Sequence, residues 1–225
     1  MIRERLDVRL ERGALELAEV VDVARTLGKL LDELHAKGEI DGAIVPARVE
    51  LGEEGVTLLP ADEEHRGQKA YLAPEAWTDP PTVAADQFSL AAVLYEALCG
   101  GRAFPGDDPG KIHDSMTTGS QVPLAARVPG LADAVDQAFA RALQLDPEGR
   151  YPSCSAFADA LVDAIERSRQ SEQVLVQKPS SRPASRRPPP RFEPDEEDAP
   201  LSFGKVAIAL LLLALVAAAL ATLTK

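Results

Sequence analysis

Residues 84–104 read AADQFSLAAVLYEALCGGRAF. Wound as a helix, this stretch carries apolar side chains on almost every face, which suits a helix enclosed by other elements rather than one lying on a surface. Gly100-Gly101 supplies the stop, because glycine enters the left-handed conformation that ends helices without steric cost. A helix buried on all sides needs partners, and the flanking sequence provides them.

Upstream, LELAEVVDVARTLGKLLDELHAKG (15–38) places Leu17, Val20, Val21, Val23, Ala24, Leu27, Leu30, Leu31 and Leu34 at helical spacing, with Gly38 as the stop signal. Two short apolar runs follow, AIVPARVEL (43–51) and VTLLP (56–60), joined by GEEG (52–55), a pattern for a small hairpin turning at Gly52 and Gly55. Downstream, residues 131–168 give two more amphipathic helices around the turn DPEGRYPS (146–153). The fold class is therefore mainly α with one small β-hairpin, in a folded unit spanning residues 1–168.

Charge and cysteine usage narrow the function classes. The chain has 24 Lys/Arg against 36 Asp/Glu, a net charge of −12, and the acidic excess lies in the first 170 residues. An acidic globular part repels phosphate backbones, which excludes nucleic acid as a partner. The two cysteines, Cys99 and Cys154, are far apart and no hydrophobic signal opens the chain, so two free thiols in a reducing compartment are expected. None of the three histidines is spaced against a Cys pair, and no metal or other cofactor is expected from the sequence.

The end of the chain is of another kind. VAIALLLLALVAAALATLT (206–224) runs without a charge for about 28 Å as a helix, close to the thickness of a bilayer's hydrocarbon core, so residues 205–224 read as a transmembrane helix. Lys178, Arg182, Arg186, Arg187, Arg191 and Lys205 precede it and only Lys225 follows, which orients the folded unit toward the cytoplasm as a single-pass protein. Residues 169–204, rich in Pro, Ser and Arg and then acidic, bury too little apolar surface to offset chain entropy and read as a linker.

LHAKG (34–38), AYLAPEAW (70–77), the stretch quoted first, and ALQLDPEGRYPSCSAFADAL (142–161) occur in an order that resembles the C-terminal lobe of a bacterial eukaryotic-like (Hanks-type) Ser/Thr protein kinase. LAPE and DPEGRYPS are the most specific pieces. The resemblance implies a buried ion pair between Glu75 and Arg150, and a role for Asp86 in holding the backbone of the loop that in kinases carries catalysis. Those three residues form the expected structural framework.

That loop is where the chain departs from the family. Set against the kinase pattern H-R-D-L-K-P-x-N, DGAIVPAR (41–48) places Asp41 at the histidine and Gly42 at the arginine. Ala43 then stands at the catalytic aspartate, Val45 at the lysine and Arg48 at the metal-binding asparagine, while Pro60 stands at the aspartate of D-F-G. Kinases use these positions to accept the substrate proton and to hold magnesium. A methyl group and a proline ring do neither, and Arg48 is expected to face solvent as a relic. Asp62 lies two positions past Pro60, and DEEHRGQK (62–69) falls where kinases carry an activation loop. His35 reads as a packing or capping residue, and Ser89 as a core hydroxyl bonded to its own helix.

Nor does a glycine-rich phosphate loop with its lysine occur in the sequence, so the resemblance implies a lobe without its N-terminal ATP-binding partner. The expected function is a catalytically inactive, membrane-tethered interaction module, a pseudokinase that binds a protein such as a kinase or its substrate. The alternative is a truncated or split Ser/Thr kinase. An uncovered upper surface should expose Ile40, Ile44, Val56 and Leu58, the expected interaction surface.

Overall fold

The computed structural model describes residues 3–119, 124–128, 131 and 133–177. The elements run β1 (Arg3–Arg5), α1 (Leu6–Leu10), α2 (Leu17–His35), β2 (Val49–Gly52), β3 (Gly55–Leu58), α3 (Glu63–Arg66), α4 (Val83–Cys99), α5 (Pro109–Thr117), α6 (Asp133–Ala142) and α7 (Cys154–Gln177), with short 3₁₀ turns between several of them.

Helix α4 is the centre of the core. Its residues from Ala85 to Tyr95 are all buried, and Asp86, Gln87 and Ser89 are the polar groups among them. Thr82 caps its start by accepting the Ala85 N–H at 3.2 Å, and Gly100, at φ +70°, ends it. Ser89 donates to the Ala85 carbonyl of the same helix at 3.1 Å. Helices α2, α6 and α7 pack around α4. Phe139 of α6 lies edge-on to both Tyr95 and Phe157, with ring centroids 5.6 and 5.7 Å apart. Where α2 meets α7, Gly28 leaves room for backbone: a Cβ there would lie 3.0 Å from Ala158 Cβ and 3.2 Å from the Cys154 carbonyl.

The hairpin pairs Val49 with Leu58 and Gly52 with Gly55, and Gly55 turns at φ +118°. A third strand, β1, completes the sheet by pairing Arg3 with Gly52 and Arg5 with Glu50. Its sequence, Arg-Glu-Arg, has no apolar alternation to betray a strand; it is an exposed edge held by backbone pairing.

One boundary differs from expectation. Helix α7 continues to Gln177, so residues 169–177 are helical where a linker was expected. The remainder of the expected linker, and the expected transmembrane helix at 205–224, lie outside the described residues. Among the described residues, no helix is long and apolar enough to cross a membrane.

One ion pair joins the segment before α4 to the segment before α7. The Arg150 side chain is fully buried and donates to both carboxylate oxygens of Glu75, at 2.6 and 2.9 Å. It also donates to the carbonyls of Ala84, Gln144 and Leu145, and it lies 4.8 Å over the Phe88 ring. The whole guanidinium is thus satisfied inside the protein. Removing the carboxylate leaves that cation without its counter-charge, so Glu75→Ala should destabilise the protein by about 3 kcal/mol, and Glu75→Gln by less because the amide oxygen still accepts. Urea denaturation of the full chain in detergent checks this; an unchanged midpoint for Glu75→Ala would show that the pair carries no stability.

Candidate functional site

Residues 39–48 cross the top of α4 between α2 and the hairpin, and Asp86 holds them there. Its fully buried carboxylate accepts the backbone N–H of Asp41 at 2.9 Å and of Gly42 at 2.7 Å. A third donor is the Nε2–H of His35, at 2.8 Å. Burial pushes the Asp86 carboxyl above its ordinary value, and the three N–H donors pull against that by favouring the ionised form. His35 therefore takes a defined hydrogen-bonding role that its position before a helix end did not reveal.

Gly42 explains one departure from the kinase pattern. Its φ is +67°, and a Cβ would fall 2.6 Å from Pro81 Cγ. Neither the conformation nor the space admits an arginine side chain without rearrangement of Pro81.

Arg48 corrects an expectation. It does not face solvent: only 3% of it is exposed. Its Nη1 and Nη2 donate to the two carboxylate oxygens of Asp41 at 2.5 and 2.8 Å, a bidentate pair. Nη1 also donates to the Ala43 carbonyl at 2.8 Å, and Nε to the Leu59 carbonyl at 2.7 Å. The Asp41 carboxylate in turn accepts the Ala43 N–H at 3.1 Å. A neutral, buried pair thus closes the loop on itself and ties it to the end of the hairpin. The signal was present in sequence as one acid and one base bracketing an apolar run, but their pairing depends on how the loop curls.

The remaining positions do not converge. Ala43 presents a fully buried methyl group. Pro60 is exposed, and Asp62 turns away to cap α3, accepting the His65 N–H at 3.0 Å. Of the four residues expected on the interaction surface, Ile44 is buried at 1% exposure and belongs to the core. Ile40 is exposed, and Val56 and Leu58 are half-buried against the core. A shallow groove lined by Asp22, Val23, Leu51 and Val56 separates α2 from the hairpin.

Chemically, this arrangement stabilises the loop through paired charges. Breaking the Arg48–Asp41 pair strands a largely buried carboxylate, so Arg48→Ala should cost about 3 kcal/mol. Asp62→Ala, at an exposed cap of a one-turn helix, should cost about 1 kcal/mol or less. Thermal or urea melts of the two variants side by side check the contrast; equal and small effects would mean that Arg48 contributes no more than a surface residue.

No protein-family model matches the chain. Among curated proteins, serine/threonine-protein kinase PknE of Mycobacterium tuberculosis is 28% identical over 198 residues, covering 77% of this chain and 35% of that protein. Serine/threonine-protein kinase PknH of the same species is 29% identical over 176 residues, covering 71% of this chain and 28% of that protein. The chain thus spans about a third of the length of the curated relatives it matches. Among solved structures, the kinase domain of M. tuberculosis PknI superposes with a TM-score of 0.57 at 26% identity, over 72% of this chain and 62% of that one. Rad53 1-466 in complex with AMP-PNP gives 0.61 at 18% identity, over 70% and 43%, a likeness of fold alone. The protein is similar to bacterial serine/threonine kinases, and its fold is protein-kinase-like.

Proposed function

We propose that this chain is a catalytically inactive, kinase-like interaction module held at the bacterial cytoplasmic membrane by its C-terminal apolar segment. The observation that carries the reading is the interior of the loop at 41–48. Phosphoryl transfer in kinases relies on a loop carboxylate that accepts the hydroxyl proton and on oxygen ligands that hold magnesium. Here the first position is the buried methyl of Ala43, and the second is Arg48, whose cationic guanidinium is already engaged by Asp41. A cation fixed at that position repels another.

What remains is a stable framework without the chemistry, which suits binding rather than turnover. The surface proposed for a protein partner combines Ile40, Val56 and Leu58 with the groove beside them, whose rim carries Glu19 and Asp22. Its half-apolar, half-acidic character fits a partner presenting apolar side chains next to lysine or arginine.

A second reading is a Ser/Thr kinase, truncated or split. The similarity to PknE and PknH supports it equally, as does the intact Glu75–Arg150 pair. The residues at 43 and 48 favour the first reading, and nucleotide binding tests it. The full chain in detergent should show no magnesium-dependent thermal shift with ATP at millimolar concentration. A saturable shift abolished by chelator would establish the kinase reading instead.

The anchoring is tested separately. Because basic residues cluster before residue 206, protease added to intact spheroplasts should leave the folded unit uncut. Its degradation there would reverse the orientation.

A further inference from the structure

Asp32, His35 and Cys154 meet where the end of α2 touches the start of α7. Asp32 and His35 lie one turn apart on the same face of α2, and Cys154 is the first residue of α7. One carboxylate oxygen, one imidazole nitrogen and the thiol sulfur all lie within 4.8 Å of one another.

The feature that points to a ligand is His35. Its side chain is 8% exposed, and its Nδ1 is buried without any hydrogen-bond partner. The tautomer follows from the network. Asp86 already accepts two backbone N–H groups, so it serves as acceptor for Nε2–H as well, leaving the buried Nδ1 with a free lone pair. A histidine whose one nitrogen donates to a carboxylate while the other keeps a free lone pair, beside a thiol and a second carboxylate, has the arrangement by which proteins orient metal-ligating imidazoles.

We propose that Asp32, His35 and Cys154 bind one divalent transition-metal ion of borderline softness, zinc being the fitting choice, through Oδ, Nδ1 and Sγ. A mixed oxygen, nitrogen and sulfur set excludes calcium and magnesium, which require oxygen shells. Tetrahedral zinc holds its ligand atoms about 3.5 Å apart, so the observed spread closes with side-chain adjustments of about an ångström. Asp32 is half-buried and reaches solvent, which leaves the fourth position to water.

Asp32 is already prepared for the role. Burial acts to raise its carboxyl, but the nearby Ser155 and Ser153 hydroxyls and the Ser155 and Cys154 N–H groups outweigh this and hold it below the ordinary range, ionised at neutral pH. The two N–H bonds, at 2.9 and 3.1 Å, fall one on each oxygen, and an ion takes its place beside them by displacing a serine hydroxyl. Burial raises the Cys154 thiol, so on binding the S–H bond breaks, its proton leaves to solvent and sulfur donates to the metal as thiolate. The ion then staples α2 to α7 and stiffens the His35–Asp86 bond beneath the loop.

Sequence spacing conceals this site and accounts for the earlier expectation of no metal. Asp32 and Cys154 are 122 residues apart, and neither stands in a recognisable ligand motif.

Cobalt(II) is the probe, since thiolate ligation gives it an intense near-ultraviolet charge-transfer band. The full chain, purified in detergent and stripped with chelator, should develop this band to saturation at one equivalent of cobalt and lose it on adding one equivalent of zinc. The chain has two cysteines, so Cys99→Ala leaves Cys154 as the lone thiol and should keep the band unchanged, whereas Cys154→Ala and His35→Phe should abolish it. Absence of a band in the unaltered chain, or its loss in Cys99→Ala, overturns the proposal. If Cys154→Ala fails to fold, the Cys99→Ala result still decides.

Discussion

The buried carboxylate of Asp86 is the constraint on which the loop, the central helix and the end of α2 all depend. A carboxylate at zero exposure is expensive to hold unless donors surround it. Three donors come from two places in the chain: two successive backbone N–H groups of the loop and the imidazole of His35. Satisfying Asp86 therefore determines where the loop backbone sits. Because the loop's own amides are the donors, its side chains can change while its course is preserved. This is the physical reason that a kinase-like path can persist over DGAIVPAR.

The loop carries its own electrostatic solution. A site that holds magnesium concentrates carboxylates that are tolerable only with the metal present. Here one carboxylate, Asp41, faces one guanidinium, Arg48, at bidentate distance, and the two neutralise each other without an external ion. The pair satisfies two further carbonyls, of Ala43 and Leu59, and so links the loop to the hairpin.

Two arginines thus do related work on either side of the start of α4. Arg150 is saturated by Glu75 and three carbonyls, and it couples the segment before α4 to the turn before α7. Arg48 does the same for loop and hairpin. In both, a planar guanidinium with several fixed donors fastens segments that also share the hydrophobic core. Stability and catalysis are separable in this architecture because the groups that fasten the loops differ from those that would touch a nucleotide.

Helices α2, α4, α6 and α7 and the hairpin were legible from the residues themselves, whereas the short helices α1, α3 and α5 were not. An all-round apolar run ending in Gly100-Gly101, a broad apolar face over 15–38 and a glycine-bounded turn follow from periodicity and local conformational preference, which act over a few residues. The edge strand β1 was not legible, since Arg-Glu-Arg becomes a strand only by pairing with β2. Nor was the environment of Arg48, Ile44 or His35. Burial, charge pairing and ligand geometry depend on residues brought together across the chain: Asp41 curling back to Arg48, Asp86 reaching His35, Cys154 arriving beside Asp32. The amino-acid sequence alone determined the long core helices, the hairpin and the residue types at 41–48, because those are properties of short stretches. Only the tertiary structure decided which charges are buried together and which nitrogen is left without a partner, because long-range packing sets them.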